Sequence, residues 1–135
     1  MPNLEYLNLS ENVIDYISPA IIRLQRLKAL LLNSNKIKVI PKEVGQLSSL
    51  EVLDLSDNLL FSLPDTIEQL QTLLILKFSH NHVHFLPVEL GSLSNLRTLH
   101  LEGNYFTSFP CSLSRLDNLE ELCLDWLKYL TPPID

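Results

Sequence analysis

Apolar residues run along this chain in two alternating rhythms. Leu30 and Leu32, and again Leu53 and Leu55, alternate with other residues at a period of two. That period marks a short strand with one buried face. Val44 and Leu47, then Ile67 and Leu70, follow at a spacing of three, which suits one or two helical turns with a single inward face. A proline stands between the two rhythms, and its fixed φ suits the first position of a helical turn. The pattern predicts parallel strands near Tyr6, Ala29, Val52, Ile75, Thr98 and Glu121. Short helices or single helical turns are expected near Val44, Ile67, Leu90 and Leu113.

These segments recur with one step. Leu4, Leu27, Leu50, Leu73, Leu96 and Leu119 are 23 residues apart. Pro41, Pro64, Pro87, Pro110 and Pro133 keep the same step, as do Asn12, Asn35, Asn58, Asn81 and Asn104. A unit of strand, turn and short helix cannot bury its apolar side alone, so neighbouring units must stack to close a core. Stacked parallel strands lie about 4.8 Å apart, so six of them span roughly 24 Å. The helical side is wider than the strand side, so the stack is expected to curve with its strands on the concave face. The asparagine amide can donate and accept. It is therefore expected to satisfy backbone groups of its own and the neighbouring turn, away from water.

The period implies a single domain over 1–135, with repeats starting near 4, 27, 50, 73 and 96 and a partial or capping repeat over 119–135. Two places break it. Pro19 comes one residue late, and Leu127 stands where an asparagine is expected. Trp126, Tyr129 and Leu130 are expected to cover the last turn as a cap, since large amphipathic rings cover much area; a junction to a further segment stays open. The chain begins inside a repeat with no polar cap, which leaves a strand edge and an open core end and suggests one part of a larger protein.

Aligned, the blocks read Leu-x-x-Leu-x-Leu-x-x-Asn-x-Leu followed by x-x-Leu-Pro. The third is LEVLDLSDNLLFSLP. The fourth, LLILKFSHNHVHFLP, has Phe78 in a leucine position, and the fifth, LRTLHLEGNYFTSFP, has Phe106 and Phe109. This resembles the leucine-rich-repeat family over nearly the whole chain. The step of 23 with IPKEVGQLSSL and LPDTIEQLQTL is similar to the intracellular subclass of Ras-pathway scaffolds, the Scribble and Erbin group and the plant Ras-group-related proteins. The resemblance implies an α/β fold, a curved leucine-rich-repeat solenoid with parallel strands inside and short helices or helical turns outside. It implies a protein-binding module or scaffold in intracellular signalling rather than an enzyme, with a small GTPase or phosphatase-type protein as one candidate partner.

Composition narrows the partners further. A formal net charge of −6 disfavours nucleic acid, whose binding rests on neutralising phosphates, and disfavours an anionic membrane surface. The longest apolar runs, such as Ala29 to Leu32 and Leu73 to Leu76, are too short to span a membrane. The start, MPNLEYLNLSEN, has no basic n-region. Cys111 and Cys123 make neither a disulfide framework nor a zinc pattern. They read as reduced thiols, which points to the cytoplasm. Six of the ten basic residues, Arg23 to Lys42, crowd one end, and Asp117, Glu120, Glu121 and Asp125 gather at the other. Steering of a partner could use such asymmetry, but solubility explains most of it.

Candidate chemistry is sparse. His80, His82 and His84 sit at alternate positions, as metal ligands could, but all three fall at turn positions expected to be exposed, with no carboxylate or cysteine close in sequence. His100 and Cys123 share one repeat position and should be strand neighbours. A Cys–His pair can activate a thiolate, yet no orienting group or pocket is evident, so both read as surface residues. No glycine motif for phosphate is present. No catalytic residue, cofactor or metal is therefore expected. The outward strand columns are more informative: Tyr6, Ala29, Val52, Ile75, Thr98 and Glu121, then Asn8, Leu31, Asp54, Lys77, His100 and Cys123. An apolar centre with mixed polar flanks suits a protein-binding face. The residues expected to carry it are Leu31, Val52, Asp54, Leu74, Ile75, Lys77, Thr98 and His100. The chain is expected to act as a monomer or within a longer chain; the alternative is a structural spacer between other domains.

Overall fold

A computed structural model describes residues 1–107 and 109–125. Six strands, β1 (Tyr6–Asn8), β2 (Ala29–Leu31), β3 (Val52–Asp54), β4 (Ile75–Lys77), β5 (Thr98–His100) and β6 (Glu121–Cys123), form one sheet in sequence order. Every pairing is parallel. Between strands the chain returns through tight 3-10 turns at Pro19–Arg23, Lys42–Gln46, Asp65–Gln69, Val88–Ser92 and Cys111–Arg115. The sheet stays open, with β1 and β6 at its edges. The expected capping residues Trp126, Tyr129 and Leu130 lie outside the described residues.

The elements are short because each turn must leave the sheet and come back within one repeat. Each strand keeps one central residue inward. Leu30, Leu53, Leu76 and Leu99 are buried and in register with one another. Leu27, Leu50, Leu73 and Leu96 make a second buried column, and Val44, Ile67, Leu90 and Leu113 close the core from the helical side. The turn ends when the N–H of Leu47, Leu70, Leu93 or Leu116 bonds to the carbonyl three residues back. That tighter spacing is the 3-10 pattern, which occurs in short pieces.

The prolines occupy a slightly different place from the expected one. Pro41, Pro64, Pro87 and Pro110 stand just before the helical turn, in extended backbone, rather than within it. Their fixed φ still directs the chain into the turn, and the missing N–H is needed by neither element. The late proline of the first repeat then makes sense. Ser18 takes the capping place, and its hydroxyl accepts from the Ala20 N–H at 3.1 Å. A serine cap and a proline at the first helical position are two solutions to the same unsatisfied end.

The asparagine column forms the expected ladder from Asn35 onward, whereas Asn12 is exposed and donates within its own turn, to Leu9 and Ser10, because among the described residues no preceding turn covers it. Asn35, Asn58, Asn81 and Asn104 are buried. Each side-chain oxygen accepts from a backbone N–H of the preceding turn: Ile14, Ile37, Leu60 and Val83, all at 3.0 Å. Each amide nitrogen donates to carbonyls of both turns; Asn58 reaches Leu32 and Leu55 at 3.0 Å and Ser56 at 3.2 Å. The ladder thus ties adjacent repeats where their chain bends away from the sheet.

Candidate functional site

The sheet brings the expected binding residues together. Leu31 is in register with Asp54, Val52 with Ile75, Asp54 with Lys77, Ile75 with Thr98, and Lys77 with His100. Leu74 directly precedes Ile75, linked to its neighbours by its N–H to the Glu51 carbonyl at 2.8 Å and its carbonyl to the Arg97 N–H at 2.9 Å. All eight are half-buried. Strand alternation makes Leu31, Val52, Asp54, Ile75, Lys77, Thr98 and His100 share the face opposite the core leucines, while Leu74 stands one residue before β4. Val52 and Ile75 form an apolar centre beside the opposite charges of Asp54 and Lys77. Asp54 also acts locally, since its carboxylate accepts from the Ser56 N–H at 3.0 Å and helps turn the chain after β3.

Ion pairs rim the face. Lys28 meets Glu5 at 3.7 Å, and Arg97 meets Glu120 at 2.7 Å. Both pairs are well exposed, so each contributes little to stability. At the far end His100 Nε2 lies 2.5 Å from a Glu121 oxygen. Burial pushes the Cys123 thiol up, Glu102 and Glu121 add to the effect, and Lys77 opposes it. A raised thiol pKa runs against the activation that a cysteine nucleophile needs.

The three clustered histidines separate into different roles, which corrects the expectation that all are exposed. His80 and His84 are exposed, but His82 is half-buried. Its ring stacks on Tyr105 at 5.4 Å and 10°, with Phe61 tilted against it at 5.7 Å. His84 lies 5.6 Å from Tyr105 and 6.4 Å from Phe85. These rings form a strip along the flank of the solenoid, beside a shallow cleft lined by Phe85, Leu86, Val88, Phe106 and Phe109. Sequence reasoning missed the strip. Its signal was present in the residue just after each asparagine (Leu59, His82, Tyr105) and two further on (Phe61, His84).

His80 bears on a neighbouring glycine. Gly103 has φ of +76°, and a Cβ there would fall 2.2 Å from His80 Nδ1. Gly103→Ala is therefore expected to destabilise by about 1–3 kcal/mol through left-handed backbone strain. Chemical denaturation of Gly103→Ala and of Gly103→Ala/His80→Ala tests this. Partial recovery in the double variant reports the ring clash, and the remaining deficit reports the backbone. A Gly103→Ala midpoint equal to wild type would refute both.

Comparison with known proteins gives one consistent result. The model of the family described as "Leucine rich repeat" matches residues 25–83 and 48–106, and a second, similarly described, matches 3–24. A solved leucine-rich-repeat protein of Leptospira interrogans is 38% identical with a TM-score of 0.86, covering 90% of this chain and 31% of that one. A plant peptide hormone receptor, RGFR1, solved in complex with RGF2, is 35% identical with a TM-score of 0.80, covering 90% and 20%. Adenylate cyclase of Schizosaccharomyces pombe is 43% identical over 49 residues, which is 36% of this chain and 3% of that protein. The chain thus spans about a third or less of each of these proteins. No helix among the described residues is long and apolar enough to cross a membrane.

Proposed function

We propose, since this chain belongs to the leucine-rich-repeat family, that its strand face grips a protein partner through Leu31, Val52, Asp54, Leu74, Ile75, Lys77, Thr98 and His100. The fold is that of a protein-interaction module. The observation that carries the assignment to this face is the register of β2 to β5, which sets Val52 against Ile75 and Asp54 against Lys77. Apolar residues at the centre supply burial, and charged neighbours fix register and exclude wrong partners. No single repeat holds enough of the surface, so recognition belongs to the stack. The resemblance to Ras-pathway scaffolds adds a cytoplasmic signalling setting and a small GTPase or phosphatase-type partner to this proposal.

The test is affinity capture from cell extract with folded variants, followed by identification of bound proteins. Leu31→Glu and Ile75→Glu are expected to lose the partner while retaining the wild-type melting temperature within a few degrees, because these side chains already face water in part. Gln46→Glu and Gln69→Glu, exposed on the outer side, are expected to capture it as wild type does. Capture retained by both strand-face variants and lost with an outer variant would move the site to the other side. Absence of any specific partner would favour a spacer role.

A further inference from the structure

One side-chain cluster, which shares His100 with the proposed partner face, also has the chemistry of a metal site. His100, Glu102 and Cys123 each offer a ligand atom, and these atoms all lie within 4.8 Å of one another. We propose that His100, Glu102 and Cys123 bind a single divalent transition-metal cation of the zinc type at the ends of β5 and β6.

The backbone makes this grouping. His100 and Cys123 are register partners on adjacent strands, and Glu102 follows His100 by two residues. Ligands around one zinc ion, bound at about 2.0–2.3 Å each, sit roughly 3.3–3.8 Å apart in a tetrahedron. Closing from the present separations needs side-chain rotation of about 1 Å, with no change in strand pairing. The donor set is one imidazole nitrogen, one thiolate and one carboxylate oxygen. Mixed sulfur and nitrogen donors select zinc and its neighbours over calcium or magnesium, which take oxygen. All three residues are half-buried, so a bound cation would be less screened than on open surface.

Neighbours complete the arrangement. Ser79 hydroxyl donates to one Glu102 oxygen, which steadies that carboxylate and leaves its second oxygen for the cation. Glu121 holds the His100 ring through Nε2, so Nδ1 is the ring nitrogen left for the cation. A carboxylate bonded to a metal-binding histidine sets the ring's orientation and strengthens it as a donor. Glu121 is thus a positioning residue. Lys77, the register partner of His100 on β4, is the opposing charge that a cation must tolerate. Binding replaces the thiol proton: the S–H bond breaks, sulfur bonds to the metal as thiolate, and the proton leaves to solvent. Three protein ligands leave a coordination position for water or for a group of the bound partner.

Cobalt(II), added to the full chain as a spectroscopic stand-in for zinc, tests the site. One equivalent is expected to produce the intense near-ultraviolet band of thiolate-to-cobalt charge transfer, and zinc(II) should abolish it by displacement. Cys123→Ser should lose the band, and Cys111→Ser should keep it. Glu102→Gln should weaken cobalt binding, and Glu121→Gln should weaken it about tenfold. Circular dichroism confirms that each variant is folded. No thiolate band, a band surviving Cys123→Ser, or cobalt affinity unchanged by both His100→Ala and Glu102→Gln would overturn the proposal. Cobalt binding at full strength without Cys123 would place the ion elsewhere, with the clustered histidines the first alternative.

Discussion

Asn58→Ala is expected to lower the unfolding free energy by about 1–3 kcal/mol, because it leaves a buried backbone donor unpaired. The group most affected is the Ile37 N–H, which donates to the Asn58 side-chain oxygen at 3.0 Å in a buried setting. The carbonyls fare better. Leu32 O also accepts from Asn35 at 2.9 Å, and Leu55 O also accepts from Asn81 at 3.0 Å. Each rung therefore shares its acceptors with the next, and the loss should be cooperative. In Asn58→Ala/Asn81→Ala, the Leu55 carbonyl loses both donors at once. The double variant is expected to fall below the sum of the singles by about 0.5–1 kcal/mol, as groups with a shared partner do. Urea denaturation by circular dichroism measures this. In a stack held by nearest-neighbour contacts, a break between repeats should also lower the slope of the transition. Midpoints and slopes equal to wild type would show that the ladder contributes nothing.

The periodic parts of this fold were legible because one constraint repeats. Leucine at a step of 23 residues fixes the strand register, and the register alone brings Val52 to Ile75 and Asp54 to Lys77. The asparagine column was legible for the same reason, since one polar residue kept at one place in an apolar repeat must have buried partners. Contacts between unlike columns were not. Phe61 meets His82 across two successive turns although the two stand at different repeat positions, so the repeat step alone did not pair them. Glu102 joins His100 and Cys123 only after the strand ends and the chain bends. Alternation predicts a strand's faces but not the direction of a side chain beyond its last residue. The proline position erred by one residue because extended and helical φ values are nearly equal for proline. Sequence cannot tell the last extended residue from the first helical one there.

Phe78→Ala is expected to be the most damaging single change in the core, at about 3–5 kcal/mol. Phe78 is fully buried and is the bulkiest such side chain among the described residues. It stands in the column of Leu32, Leu55 and Leu101, all buried, where the repeat otherwise uses leucine. Its truncation removes the transfer free energy of a whole ring and leaves a cavity between two turns that the sheet cannot close. The strands on either side are held by the β3–β4 and β4–β5 pairings. Its carbonyl also accepts from Asn81 and Asn104, both at 3.0 Å, so any backbone shift that fills the void would strain two rungs of the ladder. Phe78→Leu restores the residue type of the neighbouring turns and should cost only about 1 kcal/mol, since leucine fills much of the same space. Thermal and urea denaturation of the two variants separates the effects. A Phe78→Leu stability equal to that of Phe78→Ala would mean that the site is shaped for an aromatic ring. A Phe78→Ala variant as stable as wild type would mean that the turns collapse freely, against the rigid stacking that the hydrogen-bonded ladder imposes.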